Sequence, residues 1–178
     1  MHRLFVALRP PPSILQACLA AMDDGPPGWA WQDEEQLHLT LRYIGEVDRP
    51  VAEDIAAALG TIQAPPVDLS LTGVGWFDQG PRAALFARVG PPEPLAALHK
   101  KIDRTLVKLG LAPERRAFLP HITLARRRSG AVDPARWLER NVGLASDPEA
   151  ASSMLLCESR LGRHGATYEA VARYAFGG

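Results

Sequence analysis

An α+β fold built from a duplicated unit is what this 178-residue sequence predicts. Two pairs of segments repeat at nearly one offset, each copy couples strand-like with helix-like patterns, and the strand candidates do not follow the strict β-α-β alternation of a doubly wound sheet. With 47% hydrophobic residues the chain has enough apolar material for one substantial core or two small lobes sharing one. Its Pro-rich and Gly-rich junctions are too short to act as linkers, so residues 1–178 are expected to form a single domain.

The first repeat opens on Leu4-Phe5-Val6-Ala7-Leu8, an apolar run of strand length, followed by the break Pro10-Pro11-Pro12 and a helix start at Ser13-Ile14-Leu15. Its outline returns 81 residues later as Leu85-Phe86-Ala87-Arg88-Val89, then Pro91-Pro92 and Leu95-Ala96. Within 50–62, Val51, Ile55, Leu59 and Ile62 fall on one helical face, with Asp48 placed to cap it. Leu95, Leu98, Ile102, Leu106 and Leu109 form the matching stripe in the second half, stopped by Gly110. Further strands are expected at 67–74, 82–89, 152–161 and 166–175, each bounded by Gly or Pro.

The second repeated pair carries the chemistry. Leu37-His38-Leu39-Thr40-Leu41 recurs as Pro120-His121-Ile122-Thr123-Leu124, the histidines 83 residues apart. A two-residue period sends Leu37, Leu39 and Leu41 to one face and His38 and Thr40 to the other; Ile122 and Leu124 are likewise separated from His121 and Thr123. One such string is weak, because a lone strand histidine is usually structural. Two in equivalent places, related by a pseudo-twofold axis, would set two His/Thr pairs face to face across a groove. Imidazole titrates near neutrality and serves as either general acid or general base, and threonine hydroxyls can donate to phosphate oxygens.

Charge and cysteine content narrow the remaining classes. The formal net charge is zero, so total charge does not announce a long polyanionic partner. Acidic residues nevertheless crowd the first third and arginines the stretch after Asp103, to be read as solvated faces or as an anionic-ligand site. Two cysteines, Cys18 and Cys157, fit reduced thiols in a cytoplasmic protein better than a disulfide framework or a Cys-based zinc site. The apolar run of Leu4 to Leu8 is too short for a signal-peptide core, and no stretch reaches membrane-spanning length.

Taken together, His38-Leu39-Thr40-Leu41-Arg42-Tyr43-Ile44-Gly45-Glu46, Pro120-His121-Ile122-Thr123-Leu124-Ala125-Arg126, the opening Arg3-Leu4-Phe5-Val6-Ala7, and Glu158-Ser159-Arg160-Leu161-Gly162 followed by Tyr168 resemble the two-histidine (2H) phosphoesterases. Within that superfamily they resemble the bacterial and archaeal RNA 2′,3′-cyclic phosphodiesterases, also called 2′-5′ RNA ligases. The resemblance implies a bilobal fold with antiparallel sheets lining a central cleft and helices outside. It implies hydrolysis of terminal 2′,3′-cyclic phosphates on RNA or oligonucleotide ends by a monomer without metal or other cofactor, and a weak reverse 2′-5′ ligation. It also implies roles: His121 as base and His38 as acid, Thr40, Thr123 and Arg126 on the phosphate, and Tyr43 stacking the terminal base.

Arg126 and Tyr43 each lie five residues after their histidine, and an odd spacing on a regular strand would turn both to the face opposite the histidines. Either strand must end or bulge for them to reach the cleft. Arg42 and Arg127 are reserve candidates otherwise expected at the surface, with His2, His99 and His164, while Trp29, Trp31, Trp76 and Trp137 are expected as packing anchors. Competing readings are a relative of the same superfamily acting on a cyclic nucleotide, a 2′-5′ oligonucleotide or ADP-ribose cyclic phosphate, a non-catalytic module that holds RNA ends, and a histidine metal site.

Overall fold

The computed structural model describes residues 1–177. Its elements run β1 (His2–Leu8), α1 (Pro12–Met22), β2 (Trp29–Trp31), β3 (Leu39–Val47), α2 (Arg49–Leu59), β4 (Val67–Phe77), β5 (Ala84–Gly90), α3 (Pro92–Lys108), β6 (His121–Arg127), α4 (Ala135–Asn141), β7 (Glu149–Ala151), β8 (Ser153–Gly162) and β9 (Gly165–Ala175). The repeat therefore pairs β1 with β5, α1 with α3, and β3 with β6, as the offsets predict. The Asp48 carboxylate accepts the Val51 N–H as the cap of α2, and α3 ends just before Gly110. The strands expected at 67–74, 82–89, 152–161 and 166–175 are found within three residues at each end. Elements β2, β7 and α4, three to seven residues long, are too short to leave a periodic signature in the sequence.

All strand pairings are antiparallel, in the order β7-β4-β5-β6-β3-β1-β8-β9, with β2 added alongside β6. The order reads as a palindrome of the repeat: β6-β5-β4-β7 makes one lobe and β3-β1-β8-β9 the other. The lobes are joined through the single pairing of Leu39 with Ile122. Because β4 pairs with β5 of the second copy while β8 returns to β1 of the first, each lobe borrows a strand from the other half of the chain.

The core follows from the patterning. Leu4, Val6, Leu8, Leu39, Leu41, Leu85, Ala87, Ile122 and Leu124 turn to the helix-covered side of the sheet and are almost fully buried, together with Leu95, Leu98, Ile102 and Leu106 of α3. Three tryptophans anchor this layer or its margin. Trp137 donates Nε1–H to the Ala21 carbonyl at 2.8 Å and meets Trp31 edge-on, and Trp29 donates to the Val132 carbonyl at 2.8 Å. The other face of the sheet is left open as the cleft. No helix among the described residues is long and apolar enough to cross a membrane.

Candidate active site

His38 and His121 meet where the two lobes join. Continuing the antiparallel register outward from Leu39 and Ile122 sets His38 opposite Thr123 and Thr40 opposite His121. Leu39 and Ile122 are buried on the helix side, so strand alternation turns both His/Thr pairs into the cleft. All four residues line one cavity of about 410 Å³, as the sequence pattern requires.

Both rings are fixed by the same device. Nδ1–H of His38 donates to the Gln36 carbonyl at 2.7 Å, and Nδ1–H of His121 to the Leu119 carbonyl at 2.6 Å, each two residues back along the chain. A carbonyl only accepts, so Nδ1 keeps its hydrogen and Nε2 is left to exchange a proton with a ligand. Each ring also lies against two aromatics. Phe5 and Tyr168 approach His38, both at 4.9 Å between centroids, and Phe77 and Phe86 approach His121 at 5.1 and 5.3 Å. Burial among these rings pushes both imidazole pKa values below the ordinary one; the carbonyl bonds oppose this, and the Arg126 guanidinium adds to it.

The odd spacing of Tyr43 and Arg126 is resolved by a bulge in each copy. Val6 pairs with Arg42 but Ala7 with Thr40, leaving Leu41 unpaired; Leu85 pairs with Ala125 but Phe86 with Thr123, leaving Leu124 unpaired. The extra residue sits three places after the histidine in both strands and resets the alternation. Leu41 and Arg42 are consecutively buried, as are Leu124 and Ala125, and Tyr43 and Arg126 emerge into the cleft. The carbonyls freed by the bulges are taken from outside the ladder: His99 Nδ1–H donates to Leu41 at 2.6 Å, and the Gln32 N–H to Leu124 at 2.9 Å.

Two residues expected at the surface lie elsewhere. Arg42 is only 7% exposed, because the bulge that frees Tyr43 turns its neighbour inward. There Nε–H donates to Asp103 at 2.7 Å, and the guanidinium also donates to the carbonyls of Ala112, at 2.6 Å, and Tyr43. His99 is half-buried, its ring stacked on Phe118 at 4.4 Å while it holds the bulge. Arg127 lies over Trp29 and donates to the Gly80 carbonyl, away from the cleft. Of the arginine-rich stretch only Arg116, Arg126 and Arg128 border the cleft.

Phe5, Phe77, Phe86 and Tyr168 escape the sequence reading as site residues because hydrophobicity assigns aromatics to a core. The repeat held a signal for one pair, since Phe5 and Phe86 occupy matching places in it. Gln36 was likewise missed: its carbonyl fixes His38, while its side-chain amide donates to the Ala166 carbonyl at 2.7 Å and ties the β8–β9 hairpin to the site. Among the described residues no three of His, Cys, Asp and Glu cluster as metal ligands would.

Comparison with known proteins agrees with this geometry. The model of the 2′-5′ RNA ligase superfamily matches residues 10–142, and the chain belongs to that family of two-histidine phosphoesterases. The chain is 33% identical over 141 residues to an RNA 2′,3′-cyclic phosphodiesterase of Aeropyrum pernix, covering 77% of this chain and 80% of that one. A protein of the same name from Methanocaldococcus jannaschii is 25% identical across 97% of this chain and 99% of its own. Among solved structures, Escherichia coli LigT in complex with NADP+ superposes with a TM-score of 0.75 at 25% identity, over 98% of this chain and 97% of that one.

Proposed function

We propose that this chain is an RNA 2′,3′-cyclic phosphodiesterase that opens terminal cyclic phosphates with His38 and His121 as its proton-transfer pair and without a metal. The observation that carries the reading is the pair itself: two imidazoles with identical Nδ1 anchors, each with Nε2 left for a ligand, flanked by two threonine hydroxyls and one arginine. In the reaction His121 takes a proton from water as its oxygen attacks phosphorus, and His38 gives a proton to the ribose oxygen whose bond to phosphorus breaks. Each transfer contributes about 10²–10⁴-fold. Thr40, Thr123 and Arg126 donate to the oxygens on which negative charge grows. Tyr43, 44% exposed in the cleft, offers a face to the terminal base. Which histidine is acid and which is base rests on the family resemblance. A reducing, cytoplasmic setting suits the two buried thiols, whose pKa values burial pushes up to about 12 for Cys18 and about 11 for Cys157.

The testing experiment is hydrolysis of an oligonucleotide ending in a 2′,3′-cyclic phosphate, measured with excess chelator. Turnover is expected to persist; its loss on chelation, with recovery on adding zinc or manganese, would replace the proton-transfer pair by a metal centre.

The pH profile supplies a second check. One histidine must be neutral and the other charged, so kcat/KM should trace a bell. Both free-enzyme pKa values lie below the usual value of about 6.5, which places the maximum on the acid side of that value. Bound phosphate favours the imidazolium, so the bell for kcat should move to higher pH. A kcat/KM maximum above about pH 7 would contradict the burial argument.

A further inference from the structure

The cleft is two half-clefts related by the pseudo-twofold. One lies between the β4–β5 corner and the segment before β6, the other between the β8–β9 hairpin and the segment before β3. They share His38, Thr40, Tyr43 and Arg126 and have volumes of about 410 and 490 Å³. Duplication made them equivalent and the sequence has made them different. The first holds Arg82, and Glu114, which pairs with Arg116 at 3.3 Å, beside the aromatic surfaces of Phe77 and Phe118. The second has no carboxylate in its lining. Among the described residues Arg128 and Arg126 make no ion pair there, with His164 on the hairpin, Trp31 at the wall and Arg3, which Glu46 neutralises at 3.0 Å.

A terminal cyclic nucleotide carries two appendages beyond its phosphate, a base and a 5′ phosphodiester leading into the chain. Two half-clefts on either side of one proton-transfer pair accommodate both. A lining that carries arginine and no carboxylate suits a phosphodiester, and a neighbouring indole suits the base that follows it.

From this asymmetry we infer that the half-cleft under the β8–β9 hairpin is a subsite for the penultimate nucleotide of single-stranded RNA, with Arg128 on the connecting phosphodiester and Trp31 beside the penultimate base. This rests on the proposed cyclic phosphodiesterase activity. The enzyme is therefore an end-reader of chains, and a cyclic mononucleotide leaves half of its cleft empty.

The test compares kcat/KM for a 2′,3′-cyclic mononucleotide with that for the same nucleotide extended by one residue on its 5′ side. The dinucleotide should be preferred by about tenfold or more, and the preference should weaken with added salt. Arg128 is exposed and makes no ion pair among the described residues, so Arg128→Gln should fold normally and bring the ratio of the two substrates close to one. Arg82→Gln, in the other half-cleft, should lower both rates together and keep the ratio. Equal use of the two substrates by the unmodified protein, or an Arg128→Gln variant that keeps the preference, would overturn the subsite. Hydrolysis of neither substrate would overturn the activity on which it rests.

Discussion

Replacing either His38 or His121 with alanine is expected to lower kcat/KM on a cyclic-phosphate oligonucleotide by about 10³-fold or more, and the double variant should lose little beyond the worse single one. The single losses follow from the size of general acid–base catalysis. Non-additivity follows from the concerted arrangement: one water proton and one leaving oxygen are handled by two rings across a common cleft, so either ring alone has no competent partner. The folded state should tolerate both changes, because each ring borders an open cavity and its Nδ1 bond is to a backbone carbonyl that water reaches once the ring is gone. A substrate whose leaving group departs without protonation separates the roles. It should rescue His38→Ala and not His121→Ala; the reverse pattern would exchange acid and base, and losses that multiply in the double variant would mean that the two histidines act independently.

Much of this was legible in the sequence, and the reason is the duplication. A period of two in Leu37-His38-Leu39-Thr40-Leu41 fixes which face each side chain takes, and its return in 120–124 supplies the partner, so the pair and the two-lobed fold could be read without knowing a single long-range contact. What strand alternation could not supply was the fate of Tyr43 and Arg126. Whether Leu41 and Leu124 bulge depends on the partner strand and on a donor for each freed carbonyl, and these donors, His99 and Gln32, come from α3 and from the segment after β2. The same bulge makes Arg42 a buried residue, against its charge and its place in an otherwise alternating strand. The half-clefts were invisible for a related reason: each is closed by segments distant in sequence, in the second by segments more than a hundred residues apart, such as Trp31 with His164, and local patterning carries no information about such pairs. Gly45 is a smaller instance. Its φ of +94° lets the backbone turn just after Tyr43, where Ile44 is unpaired, and a glycine in a strand pattern signals such a departure without saying which side chain it re-aims.

Arg42→Met is expected to destabilise the protein by about 3–5 kcal/mol, the range for breaking a buried ion pair by removing one partner. The guanidinium holds three segments at once: the β3 bulge through the Tyr43 carbonyl, α3 through Asp103, and the chain leading to β6 through the Ala112 carbonyl. Asp103 also accepts the Glu114 N–H at 3.1 Å, so both charged partners grip the segment that runs on to Phe118 and Leu119, whose carbonyl anchors His121. Methionine fills the stem of the arginine but leaves Asp103 and two carbonyls short of donors. For a chain of this size the loss corresponds to a fall in Tm of roughly 6–20 °C, measurable by thermal melting. Replacing both partners, Arg42→Met with Asp103→Leu, removes the stranded carboxylate and should recover part of that fall. Catalysis should report the same linkage. Because Tyr43 and the His121 anchor lie at opposite ends of the lattice that Arg42 ties together, KM should rise along with a drop in kcat at temperatures where the variant is fully folded. A variant that melts within about 2 °C of the unmodified protein and keeps its kinetic constants would mean that water replaces the guanidinium without cost. The bulge would then be held by His99 and the ladder alone.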